Sequence, residues 1–110
     1  MNSVQVLQAA LALLVDPTRW TQRALARNEF GDEERDPRSV DATQWCVFGA
    51  LTKVTTEADL PAVIRAEEAL ERVGCTGTSW NDAPERTHNQ VLVAIERALI
   101  AEVKGKRSGQ

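Results

Sequence analysis

Tyrosine is absent, and the chain of 110 residues has one histidine, one methionine, two cysteines and only 5% aromatic residues. The single imidazole, His88, and the two thiols, Cys46 and Cys75, show no CxxC and no spacing that joins them. That is too few ligands for a structural zinc site, so no metal and no other cofactor is expected. A membrane-spanning helix needs about 20 apolar residues. The first apolar run, Val4 to Val15, is shorter and is broken by Gln5 and Gln8, so no membrane segment is expected. With no leader-like pattern at the N-terminus, reduced thiols in a cytoplasmic setting are the expectation. An excess of basic charge is missing too. Thirteen Lys and Arg face 16 Asp and Glu, for a net charge of −3. Only the terminal Lys104, Lys106 and Arg107 are purely basic, so nucleic acid is not the expected partner, because phosphate binding needs concentrated positive charge.

What is present describes an ordinary folding chain, with 43% hydrophobic and 26% charged residues. Its length suits a single domain, expected over 1–104, with 105–110 as a flexible C-terminal tail. Val4, Leu7, Leu11 and Leu14 recur at helical spacing after Ser3, which can cap them, and Asp16-Pro17 ends the run. A short helical element is read near 19–27. Asn28 to Asp41, rich in charge and holding Gly31 and Pro37, reads as a surface loop of mixed sign. Asp41 or Thr43 can cap the run from Gln44 to Leu51, which is read as a helix because no second strand-like run offers it a partner. Asp59 with Pro61 starts a helix whose buried stripe is Leu60, Val63, Ile64, Leu70 and Val73 and whose stop is Gly74. Thr87-His88-Asn89-Gln90 matches a capping box and opens the last helix, with Val91, Leu92, Ile95, Ala98, Leu99 and Val103 facing inward.

The expected fold is therefore all-α. It is a compact bundle of four main helices near 3–15, 43–54, 59–73 and 87–103, plus the short element. The expected core is Leu7, Leu11, Leu14, Trp45, Phe48, Leu51, Val63, Ile64, Leu70, Val91, Ile95 and Leu99.

Chemistry is sparse. Cys46, His88 and Asn89 are the side-chain types of a Cys-His-Asn hydrolase or transferase, in which an imidazole activates a thiolate. Cys46, read in the first turn of its helix, would have its pKa lowered by the helix dipole. The plainer reading is a core cysteine and a solvated histidine. Trp45, Trp80, Asn81, Asp82, Arg86 and Thr87 form the other candidate group. As structure, Asn81 and Asp82 cap turns, Asp82 pairs with Arg86 and Thr87 starts a helix. As function, the same groups line a small-molecule pocket walled by Trp45 and Trp80.

Trp20-Thr21-Gln22, then Trp45-Cys46-Val47-Phe48-Gly49-Ala50-Leu51, then Trp80-Asn81-Asp82 with Arg86-Thr87 and Val91, resemble a small bacterial and phage family of unknown function, DUF6197, over about Leu7 to Ala98. One departure is Arg23, where the resemblance implies glycine. The resemblance implies a compact helical domain and supplies no activity. The first expectation for function is a non-enzymatic interaction module, a phage or mobile-element accessory protein acting on a host protein. The sequence does not give its oligomeric state.

Overall fold

Three helices carry most of the packing: α1 (Ser3–Leu14), α3 (Leu60–Arg72) and α5 (His88–Ser108), each in contact with the other two. The computed structural model describes residues 1–108, with side chains through Gly105. Along α3 the buried stripe is Val63, Ala66, Ala69 and Leu70, and its alanines let α1 and α5 approach closely. Leu7, Leu14, Leu51, Leu70, Val91 and Ile95 are fully enclosed, and Val63 and Trp45 nearly so. Leu11, Phe48 and Leu99 sit half-buried against that core. Ile64 and Leu60 do not join it. Ile64 lies about 100° around the helix from the buried Val63, and Ile64 and Leu60 face outward. Val73 is half-buried. On α5 the inward position is Glu102 and not Val103. Its carboxylate accepts the Ser3 hydroxyl at 2.6 Å, with Arg65 and Arg72 at 3.9 and 3.8 Å. Ser3 is thus spent on Glu102, and Asn2 caps α1. The last helix runs past Gly105 to Ser108. Residues 109 and 110 of the expected tail lie outside the described residues.

The all-α expectation fails between residues 20 and 46. Strands β1 (Ala26–Asn28), β2 (Glu33–Glu34) and β3 (Ala42–Trp45) form an antiparallel sheet in the order β2-β1-β3, so the fold mixes helices with a small sheet. The expected helix near 19–27 is a single 3-10 turn, Pro17–Arg19, followed by Trp20 bridged to Trp45 and a bent stretch over residues 22–25 leading into β1. The expected helix over 43–54 is two elements. Strand β3 ends at Trp45, Cys46 is the N-cap, and α2 covers Val47–Lys53. Neither Asp41 nor Thr43 caps it. The partner of β3 is hard to see in the sequence because Ala26-Arg27-Asn28 has no apolar alternation. Backbone bonds make most of the pairing, with Ala26 opposite Trp45 on one side and Glu34 on the other, and Asn28 and Thr43 add side-chain bonds to Glu34 and to the Arg27 carbonyl. The Asn28 side chain makes the hairpin by accepting the amides of Phe30 and Asp32, and Gly31 takes the positive φ that the turn requires. A short helix, α4 (Thr78–Asp82), lies between α3 and α5.

Arg23 is the one described non-glycine residue with positive φ, at 67°. A left-handed backbone costs an L-residue about 1–2 kcal/mol, and glycine gives back part of that relief as chain entropy. Arg23→Gly is therefore expected to stabilise the protein by about 0.5–1 kcal/mol, a rise of about 2–5 °C in melting temperature. A fall in melting temperature would show that the turn is not strained.

Candidate functional site

The chain from Trp20 to Arg23 is laid across the start of α2 and against α4, and one side chain, Asn81, holds the junction. It is completely buried. Its Oδ1 accepts the Trp20 indole N–H at 2.9 Å and the Val47 amide at 3.2 Å. Its Nδ2 donates to the Thr21 carbonyl at 3.1 Å and to Asp82 Oδ1 at 3.0 Å. Val47 is the first residue of α2, whose amide has no partner within its own helix, so Asn81 serves as a cap from 34 residues away. The Gln22 side-chain amide adds bonds to the carbonyls of Asn81 and Ala83. Asp82 accepts the Arg23 amide at 2.8 Å. The expected Asp82–Arg86 pair is not formed among the described residues. Arg86 instead donates Nε–H to the Trp80 carbonyl at 2.8 Å and stacks its guanidinium 3.9 Å above the Trp80 ring. Thr87 and Gln90 make the reciprocal capping box.

Cys46 and His88 serve different neighbours. The Cys46 sulfur is buried and accepts the Gly49 amide at 3.3 Å. Burial pushes its thiol pKa up, and the nearby Asp82 carboxylate pushes the same way, against the amides of Gly49 and Phe48. Here desolvation outweighs the helix N-terminus that was expected to lower the pKa. Burial likewise pushes Cys75 up to about 12. Both thiols are free. His88 donates Nε2–H to the Leu14 carbonyl at 2.6 Å, which fixes its tautomer, because a carbonyl can only accept. Its ring lies 6.1 Å from that of Trp20. Among the described residues no hydrogen bond joins Cys46 to His88 or to Asn89, and Asn89 is exposed on α5.

A family model described as a family of unknown function (DUF6197) matches residues 1–100. The chain belongs to this family. No curated protein and no solved structure matches it.

In this DUF6197 fold the two candidate tryptophans serve separate concavities. Trp45 is buried, donates its indole N–H to the Pro37 carbonyl, and lies under Lys53 at 5.6 Å. It lines an open concavity with Leu13, Arg19, Phe30 and Gln44. Trp80 and Arg86 line another, with Asn89 and Arg97. Among the described residues no group of three or more His, Cys, Asp or Glu could hold a metal ion, and no helix is long and apolar enough to cross a membrane.

One surface of the family fold is not legible from the sequence. Between Pro17 and Val40 five arginines (Arg19, Arg23, Arg27, Arg35 and Arg38) accompany five acids (Glu29, Asp32, Glu33, Glu34 and Asp36), a count that reads as a balanced face. Two of those arginines turn inward onto carbonyls. Arg27 reaches Gly31, Gln22 and the Thr21 hydroxyl, and Arg38 bonds Thr52 and Thr55. Glu29, Asp32, Glu33, Asp36 and Asp41 stay exposed with Arg35 among them, beside Phe30 at 80% and Val40 at 93% exposure. The density of acids was a readable signal. The inward turn of the cations was not, because it depends on which carbonyls the fold leaves over.

Proposed function

We propose that the protein is a non-enzymatic interaction module that docks through Phe30 and Val40 onto a basic protein surface. The observation that carries this reading is the pair itself. Two large apolar side chains stand nearly free of the fold on either side of one concavity of about 390 Å³, with Glu29 and Asp41 on its rim. An apolar centre with a charged, solvated border has the anatomy of a non-obligate interface. Acidic rim charge speeds encounter with a cationic partner and discriminates against acidic ones. In a phage or mobile-element setting the partner is a host protein, and two unpaired buried thiols suit a cytoplasmic one.

The test places a photo-crosslinking amino acid at position 30 in the full chain, with a second at the exposed Glu68 as the control. The expected result is one dominant adduct to a basic protein from position 30. It should be absent from position 68 and lost in Phe30→Ser with Val40→Ser and in Glu29→Lys with Asp41→Lys. Both double variants should keep the wild-type melting temperature within a few degrees, since these side chains are exposed. No adduct, or one that survives charge reversal, would rule out this docking mode.

A further inference from the structure

On the part of the fold built by α3, α4 and α5, a concavity of about 330 Å³ gathers polar groups of one kind. Arg86 and Arg97 bring guanidinium groups, Asn89 and Gln90 bring amides, and no carboxylate lines it among the described residues. This is uncommon in a chain whose acids outnumber its bases, 16 to 13. Neither guanidinium has a carboxylate within 4.0 Å among the described residues.

Arg86 is held ready. Its Nε–H is spent on the Trp80 carbonyl, its plane is stacked on the Trp80 ring, and Nη1 reaches Gln90 Oε1 at 3.4 Å. Its remaining N–H groups are set in a rigid fork, the geometry that binds a carboxylate or phosphate with two parallel bonds. Arg97 lies on the same ridge of α5 as Asn89 and Val93, four residues apart each time, so the second cation and a free amide face the same hollow. Val73, Val93 and Ala94 add an aliphatic part to the lining.

We propose that this concavity binds a small oxyanion, a carboxylate or a phosphate monoester, attached to a compact apolar group. The volume is at the low end of the roughly 300–1,000 Å³ usual for small-molecule sites, which favours a ligand of one ring or a short branched chain. The Arg86 fork takes the anion, Arg97 and Asn89 close over it, and the aliphatic lining takes the apolar part. The site is independent of the Phe30 and Val40 surface, so either proposal can fail without the other.

The test follows amide and indole resonances of the full chain during titration with inorganic phosphate, phenyl phosphate and benzoate. The expected result is that phenyl phosphate or benzoate binds at least tenfold more tightly than inorganic phosphate, and the better of the two fixes the anion. Shifts should be confined to Trp80 and the first three turns of α5. Arg97→Gln and Asn89→Ala should each weaken binding at least fivefold at an unchanged melting temperature. These two exposed positions keep the test decisive even if Arg86→Ala fails to fold. Equal binding of all three anions, shifts spread over other arginines such as Arg19 and Arg65, or unchanged affinity in Arg97→Gln would overturn the proposal.

Discussion

Gly49→Ala is expected to destabilise the protein by about 3 kcal/mol, a drop of about 10–15 °C in melting temperature. Helix propensity alone predicts the opposite sign, because alanine in a helix interior is favoured over glycine by about 1 kcal/mol. Packing decides the matter. A Cβ on Gly49 would lie 1.9 Å from the Leu25 carbonyl oxygen and 2.8 Å from its carbon, so the obstacle is backbone and not a side chain able to rotate. Nor can that backbone retreat freely. The Leu25 carbonyl accepts the Cys46 amide at 3.2 Å, and the next residue, Ala26, pairs with Trp45 in the sheet. Making room for one methyl group means parting α2 from the strand that leads into β1. Thermal or urea unfolding of the two proteins settles the sign, and a variant as stable as wild type would mean the close approach of Leu25 to α2 is not real.

The same contact explains how far the sequence could be read. Helices α1, α3 and α5 were legible within a few residues, because each carries a long apolar stripe at helical spacing and two of them carry recognisable starts, Pro61 and the Thr87–Gln90 box. The sheet was not legible. Its strands are two to four residues long and largely polar, and periodicity carries no signal over such lengths. Cys46 hid the break between β3 and α2, since Trp45-Cys46-Val47-Phe48 is continuously apolar and a thiol is an uncommon N-cap. The chain that packs on Gly49, at Leu25, lies within the stretch 19–27 that the sequence reads as helical. For the candidate group, Asn81, Asp82, Arg86 and Thr87 read in the sequence either as turn and cap formers or as the lining of a pocket. The first reading keeps their partners within the loop, whereas Asn81 and Asp82 reach back some 60 residues to Trp20, Thr21 and Arg23. Local sequence holds no record of such partners. Ser3 misled, because tertiary structure claims its hydroxyl for Glu102, whereas Asp59 does hold the N-cap position of α3 but turns its carboxylate to Thr56 and the N-terminal ammonium group.

Asn81 carries the largest expected effect. Asn81→Ala leaves the buried Val47 amide and the part-buried Trp20 indole N–H and Thr21 carbonyl without their partner, and each such group costs about 1–3 kcal/mol. A loss of about 4 kcal/mol is expected, a large part of the roughly 5–15 kcal/mol that holds a domain folded. Asn81→Asp discriminates more sharply because it changes almost no volume. The oxygen facing Trp20 and Val47 remains, but the atom facing the Thr21 carbonyl and Asp82 becomes an acceptor opposed to acceptors. Only the protonated acid can donate there, so burial and the Asp82 carboxylate raise the folded-state pKa of the new group above its unfolded value of about 3.9. A raised folded pKa means stability that is present below the unfolded pKa and lost as pH rises. The variant should therefore approach wild type near pH 4 and fall behind it by about 1.4 kcal/mol per pH unit until the folded pKa is reached. Urea midpoints of both proteins at pH 4.5 and 7.5 test this directly. A deficit that is the same at the two pH values would show that Asn81 donates to neither oxygen, and that the link between α4, α2 and the Trp20 segment is held by something else.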